Sequence, residues 1–134
     1  MVICSEYGMP PVVYVAGPYR AQTEAAFSHH IQAAERMGLA LARKGWAPII
    51  PHLNTGRFDQ KAPDVGDDFW LAATSALLLR ADAVILLSNW QNSAGTKAEV
   101  KLAKAYRIPV FDALSDLGKA TDWPARLKSI QHTA

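Results

Sequence analysis

The chain has 134 residues, half of them hydrophobic, which is enough for one domain with a substantial core. Its net charge of +2, with no cluster of lysine and arginine, argues against a nucleic-acid polymer or a membrane surface as partner. Its single cysteine, Cys4, excludes an intramolecular disulfide and a cysteine-type zinc site, and the absence of a secretory signal or a membrane-length apolar run predicts a cytoplasmic protein.

The first half of the chain predicts a strand, a helix and a second strand. The run PVVYVAG (11–17) is rich in β-branched residues and is stopped by Gly17-Pro18. A helical pattern covers 23–44, and Gly45 stands where a left-handed stop is expected. One apolar face of this helix holds Phe27, Ile31, Ala34, Gly38 and Leu41. The segment WAPII (46–50) predicts the second strand.

The second half predicts a long loop followed by further alternation. The stretch 51–67 has no periodicity, and loops of that length are often functional. The later elements are a helix from 67 or 68 to about 80, a strand at 82–88, a helix at 96–106, a strand at 108–113 and a last helix including 126–131. The expected fold is therefore α/β, a single-domain three-layer sandwich with a parallel, Rossmann- or flavodoxin-like sheet.

The most polar and least regular stretches all follow strand ends. They read GPYR (17–20), PHLN (51–54) and SNWQNSAG (88–95). Ligands of parallel α/β folds bind beyond the carboxyl ends of the strands, so these stretches are expected to form one binding rim. No GxGxxG or GxxxxGK[ST] motif is present, which argues against a dinucleotide or NTPase site. No histidine has metal-ligand spacing with a partner, and we expect neither a metal nor another cofactor.

Side chains on this rim have both functional and plain structural interpretations. Arg20 can grip a phosphate and Tyr19 can stack on or cover a ligand, although GPYR is also an ordinary strand-ending turn. His52 and Asn54 can hydrogen-bond a base or a sugar, but a loop histidine is more often merely exposed. The turn SAG (93–95) offers a hydroxyl, a glycine and free helix N–H groups, which suit a phosphate. Such turns are common before helices, so this motif is weak by itself.

Glu99 is the residue on which the functional interpretation depends. Thr96 and Glu99 match a capping box, with a threonine cap and an acid three residues later. The helical periodicity favours another role, because Glu99 lies about 200° from the solvated lysine face that includes Lys97. It is instead in register with Leu102, Ala103 and Tyr106 on the packed side. A carboxylate there costs free energy unless it is hydrogen-bonded or used in chemistry.

Four segments together resemble the nucleoside 2-deoxyribosyltransferase-like family, which includes nucleoside 5′-monophosphate N-glycosidases. They are VYVAGPYR, the loop beginning PHL, RADAVILLSNW, and SAGTKAE with its following alanine. The resemblance spans about 12–110, and its most specific element is the first strand motif followed, after the central strand, by S-x-G-x-x-x-E.

The resemblance implies a double displacement in which Glu99 attacks the anomeric carbon of a (deoxy)ribosyl group. A family tyrosine near the nucleophile matches Tyr14, which would orient Glu99. The position that matches Ser93 is occupied in the transferases by an acid that holds the sugar 5′-hydroxyl. In the monophosphate hydrolases it is occupied by a serine that binds a phosphate. Ser93 therefore favours a nucleoside 5′-monophosphate as ligand. The implied binding set also includes Gly17, Tyr19, Arg20, His52, Asn54, Asn89 and Gly95.

One departure from the family pattern concerns the proton donor. The family usually has an aspartate eight residues before the acid that opens the central strand, and this position is Thr74. Asp64, Asp67, Asp68, His52 or water are the alternatives. Base exchange between nucleosides and a non-catalytic nucleotide-binding module stay open as functions. The nearly apolar second helix predicts burial on two sides or a subunit interface, and with the family pattern it favours a homodimer or larger homo-oligomer.

Overall fold

The computed structural model describes residues 9–123, and it has a four-stranded, all-parallel sheet with helices on both faces. The strands are β1 (Val12–Ala16), β2 (Ala47–Ile49), β3 (Ala83–Leu86) and β4 (Val110–Phe111), in the spatial order β2-β1-β3-β4. The predicted α/β fold with a parallel sheet is confirmed. The predicted helix at 126–131 lies outside the described residues.

The helices contain one correction to the sequence-based expectation. They are α1 (Glu24–Arg43), α2 (Pro51–Asn54), α3 (Phe58–Lys61), α4 (Asp67–Leu78), α5 (Ala94–Ala105) and α6 (Leu114–Leu117), with 3-10 turns at Trp90–Asn92 and Ala120–Asp122. The stretch 51–67 is thus not a plain loop, because α2 and α3 lie within it. Each is a single turn, too short for a 3.6-residue hydrophobic period to appear in the sequence.

Helix α1 begins and ends where its capping residues predict. The Thr23 hydroxyl accepts a hydrogen bond from the Ala26 N–H at 3.1 Å, which satisfies one of the free donors of the first turn. Gly45 follows the last turn with φ of +91°, a conformation that only glycine adopts without strain. Of the predicted apolar face, Ile31 is half-buried and the other four residues are buried.

The sheet divides the core into two apolar clusters, which gives the three layers. Val13 and Ile85 point to the side covered by α1 and α6, where Leu41 and Leu117 are fully buried. Tyr14 and alternate strand residues point to the opposite side, which is covered by α4 and α5. The alternation follows from the two-residue period of a strand and places Tyr14 under α5.

Helix α4 is not buried on two sides within the described chain. Leu78 is its one buried residue, whereas Phe69 is 56% exposed and Leu71 is 59% exposed. Within residues 9–123, therefore, no other element covers Phe69 and Leu71 of α4. None of the helices in this part of the chain is long and apolar enough to span a membrane.

Candidate active site

A cavity of about 750 Å³ opens at the carboxyl ends of β1 and β3. The chain connects β1 to β2 on one side and continues to β3 on the other, so the crevice lies at the point where the strand order reverses, as expected for parallel α/β folds. The predicted site residues that line it are Tyr14, Gly17, Tyr19, Arg20, His52, Asn89, Ser93, Gly95 and Glu99. The three polar stretches after the strands therefore do converge on one rim.

Asn54 is the one predicted site residue outside the lining. It is exposed at the end of α2, two residues after the buried His52. Two residues correspond to about 200° around a helix, so the turn that directs His52 inward directs Asn54 outward. The sequence analysis placed 51–54 at the start of a loop after the second strand, which left the direction of both side chains open.

Tyr14 and Glu99 form a hydrogen-bonded pair inside the cavity. The Tyr14 hydroxyl donates to Glu99 Oε2 across 85 positions of sequence. Burial raises the pKa of the Glu99 carboxyl to about 7, and the hydrogen bond from Tyr14 opposes this rise. Burial also raises the pKa of Tyr14, and the charge of Glu99 adds to this effect. Tyr14 therefore keeps its proton and remains a donor, while Glu99 changes its charge near neutral pH.

The start of α5 differs from the predicted capping box. Helix α5 begins at Ala94 rather than at Thr96, and its cap is Ser93, whose hydroxyl accepts the Thr96 N–H at 3.2 Å. Thr96 is the third helical residue and is buried, so it does not cap the helix and Glu99 lies beyond the first turn. Serine caps helices as well as threonine does, and Ser93 holds the position that the capping-box pattern assigned to Thr96.

Ser93 lines the cavity and its hydroxyl caps α5. Its oxygen accepts both the Thr96 N–H and the Thr96 hydroxyl, the latter at 2.9 Å. A serine oxygen has two lone pairs and one hydrogen, so its own hydrogen is left for a ligand. Gly95 adds no side chain beside the N-terminal N–H groups of α5. This arrangement favours an anionic oxygen as ligand.

His52 is buried, in contrast to the plain interpretation of an exposed loop histidine. Its Nε2 lies 2.8 Å from the Pro18 carbonyl oxygen. A carbonyl only accepts, so the imidazole hydrogen is on Nε2. Burial lowers the pKa of His52, and the ring is neutral near pH 7. His52 thus anchors the segment after β1, where Gly17 packs so closely on Leu87 that an added Cβ would lie 2.6 Å from the leucine side chain.

Tyr19 is a fixed wall of the cavity rather than a movable cover. Its hydroxyl donates to Asp59 Oδ1 at 3.1 Å and accepts the Arg57 N–H at 2.7 Å. Its ring contacts Phe27 and His52 edge to face, with centroid distances of 5.0 and 5.7 Å. These contacts join the segment after β1 to α1, α2 and α3.

Arg20 and Asp67 form an ion pair on the cavity lining. Arg20 Nη2 lies 3.0 Å from Asp67 Oδ1, and both side chains are about two-thirds exposed. An exposed pair of this kind contributes little to stability. The Arg20 guanidinium is therefore available to exchange Asp67 for a ligand phosphate, to which it can donate two hydrogen bonds.

Thr74, at the position where the motif resemblance led us to expect an acidic proton donor, lies on the cavity lining. Thr74 Oγ1 donates to the Leu71 carbonyl at 3.2 Å. The Thr74 side chain also acts to lower the pKa of Tyr14, but burial and Glu99 raise this pKa by more. Among the predicted replacements, Asp67 and His52 line the cavity, whereas Asp64 and Asp68 do not.

Sequence reasoning missed several residues of this cavity, among them Asp59 and His30. Asp59 belongs to the single-turn helix α3, for which the sequence contains no periodic signal. His30 lies about 60° around α1 from the buried Phe27, so its place beside the packed face was readable from the helical period. Tyr106, predicted to face the packed side of α5, is 63% exposed, because it follows the last residue of that helix.

Comparison with known proteins identifies a family without an assigned activity. The model of a domain of unknown function, DUF4406, matches residues 11–112, and the chain belongs to this family. The match contains all four strands and every residue of the cavity lining. No curated protein matches the chain. Within residues 9–123, no three His, Cys, Asp or Glu side chains are grouped to hold a metal ion.

Proposed function

We propose that the protein hydrolyses the N-glycosidic bond of a (deoxy)nucleoside 5′-monophosphate through a covalent glycosyl-Glu99 intermediate. The observation that carries the proposal is the hydrogen bond from Tyr14 to a half-buried Glu99 carboxylate on the lining of a ligand-sized cavity. The motif resemblance to nucleoside 2-deoxyribosyltransferase-like proteins supports the same role. The proposed setting is cytoplasmic nucleotide metabolism.

The first half of the reaction is attack of Glu99 on the sugar. The Tyr14 hydrogen bond holds Oε2, which leaves Oε1 to approach C1′. As the bond between C1′ and the base nitrogen breaks, the base leaves with the electron pair and takes up one proton. The carboxylate stabilises the oxocarbenium-like transition state and then forms an ester with C1′.

The second half releases the sugar phosphate. Water attacks C1′, the ester bond to Glu99 breaks with its electrons returning to the carboxylate, and the water gives up one proton. The products are the free base and the (deoxy)ribose 5-phosphate, and Glu99 is regenerated. Retention follows from two displacements at one carbon, as in glycosidases with a carboxylate nucleophile.

The phosphate is assigned to the end of the cavity lined by Ser93 and Gly95, with Arg20 of the same lining as its charged partner. Ser93 has a hydrogen to donate, α5 supplies unpaired N–H groups, and Arg20 supplies the charge. A carboxylate at position 93 would repel a phosphate, and this chain has a serine there instead. The proton taken up by the departing base is assigned to Asp67, Asp59 or water, because Thr74 cannot donate one as an acid.

The decisive test is a panel of nucleoside and deoxynucleoside monophosphates incubated with the protein, with free base followed by chromatography. We expect release from at least one member. No release at high protein concentration and long incubation would contradict hydrolysis. In that case, binding without turnover would favour a nucleotide-binding module, a function that the absence of an acid at Thr74 supports. Transfer to a supplied base would indicate base exchange, although the serine at position 93 argues against that reaction.

The first prediction concerns pH. Because the nucleophile must be ionised and its pKa is about 7, kcat/KM is expected to rise with pH below about 7 and to level off above it. The substrate phosphate also ionises near pH 6, so a control must separate the two groups. Tyr14→Phe removes the hydrogen bond that favours ionised Glu99 and should move the rise to higher pH, which substrate ionisation would not do. A pH-independent rate from 5.5 to 8.5 would contradict this role.

The second prediction concerns assembly. We propose that α4 packs against a second copy of the chain, because Phe69 and Leu71 are both more than half exposed on this helix and Leu71 also lines the cavity. Light scattering is expected to give at least a dimer at micromolar concentration, and Phe69→Glu to shift it to monomer. Leu39→Glu, at an exposed leucine of α1, is the matched control and should leave the mass unchanged. A wild-type monomer would refute the proposal.

A further inference from the structure

A second cavity, of about 690 Å³, lies on the α1 side of the same rim. Three residues, Pro18, His30 and Asn89, line both cavities, which places the two side by side with a shared wall. The proposed hydrolysis of a monophosphate uses the first cavity alone. The second therefore has no part in the function described so far.

The shared wall adjoins the end of the first cavity to which the 5′-phosphate is assigned. Pro18 directly follows Gly17, and Asn89 precedes Ser93 by one 3-10 turn, closed by the hydrogen bond from the Ser93 N–H to the Trp90 carbonyl at 3.0 Å. A group attached to the phosphate on its far side from the sugar would thus face the second cavity.

The lining of the second cavity is rich in groups that bind anions. Arg36, His29 and His30 line it from α1, and among residues 9–123 the Arg36 guanidinium has no ion pair. His29 and Arg36 are seven residues apart and so lie on one face of the helix. An unpaired guanidinium suits a phosphoryl group, to which it donates two parallel hydrogen bonds. Asp112, the one carboxylate on this lining, would repel a phosphoryl group.

We infer that the second cavity binds a phosphoryl group linked to the 5′-phosphate, so that the ligands of this site are nucleoside 5′-diphosphates and their conjugates in preference to bare monophosphates. The inference rests on the proposed placement of the 5′-phosphate beside Ser93. It assigns Arg36 as the residue that distinguishes the two ligand classes.

The test is calorimetric titration of Glu99→Gln protein, which prevents turnover, with a nucleoside monophosphate and the diphosphate of the same nucleoside, without divalent cations. The diphosphate is expected to bind about tenfold more tightly, the effect of one charge-assisted contact. Adding Arg36→Gln should reduce the ratio of the two affinities to about one. Arg43→Gln, which removes the same charge from α1 outside the cavity, should preserve the ratio. Asp112→Asn should increase it.

Equal affinities for the two ligands would overturn the inference, as would a diphosphate preference that survives Arg36→Gln, or binding of neither nucleotide. These results are separable from the fate of the proposed function. Base release from monophosphates combined with equal affinities would retain the hydrolysis and remove the second phosphoryl site. A diphosphate preference that depends on Arg36, without base release from any nucleotide, would retain the site and remove the hydrolysis.

Discussion

Glu99→Gln is expected to lower base release by at least about a thousandfold, because the amide is a poor nucleophile and cannot form the glycosyl ester. The amide is nearly the same size and still accepts the Tyr14 hydrogen bond, so the cavity should keep its shape. Release is measured by chromatography under single-turnover conditions. The matched control is Glu35→Gln, an exposed acid of α1 outside the cavity, which should keep wild-type rates. Full activity in Glu99→Gln would remove this residue from its proposed role.

The same substitution should increase stability above neutral pH. The pKa of Glu99 is raised from 4.5 to about 7 by folding, so between these values the folded state holds a proton that the unfolded state has lost. Stability therefore falls as pH rises through this window, by on the order of 3 kcal/mol in total. Glutamine does not ionise, so the variant should be more stable than wild type at pH 8 and similar at pH 4.5. Denaturant unfolding at the two pH values measures the difference, and equal stability at pH 8 would show that Glu99 is not desolvated.

Ser93→Asp is expected to lower kcat/KM for nucleoside monophosphates by about a hundredfold to a thousandfold. The new carboxylate would face the substrate phosphate across a partly desolvated cavity, where like charges repel much more strongly than in water. It would also remove the hydroxyl hydrogen, which the two bonds accepted from Thr96 leave free for donation to a phosphate. In the resembling transferases an acid at this position holds a 5′-hydroxyl, so unphosphorylated nucleosides should be turned over at least as well by the variant as by wild type.

The control for this change is Ser93→Asn. Asparagine, aspartate and serine are all good helix caps, so both variants should retain the start of α5. Because asparagine has nearly the shape of aspartate without its charge, the difference between the two variants measures repulsion alone. Equal kcat/KM values for the monophosphate in Ser93→Asp and Ser93→Asn would show that the phosphate does not bind near this residue. Circular dichroism verifies that both variants are folded.

The sequence determined the sheet and its main helices because long or strongly patterned elements carry their own signal. The apolar run at 82–88 contains β3, and the period of α1 with Thr23 and Gly45 at its ends predicted that helix to within one residue. Short elements carry no such signal, so the sequence predicts a loop where α2 and α3 form. The sequence predicts the start of α5 two residues late, because Ser93 and Thr96 are both residue types that cap helices.

For the candidate site, the sequence by itself determined which polar stretches follow strand ends and therefore share one rim, since parallel strands all end on the same side. The helical periodicity alone predicted that Glu99 lies on the side of the helix away from the lysine face. Only the tertiary structure decided that Tyr14 meets Glu99, that Asn54 points away while Asp59 and His30 join the lining, and that a second cavity adjoins the first. The reason is physical: these contacts join elements distant in sequence, and their geometry depends on how helices pack across the sheet, a non-local property that no local pattern of residues records.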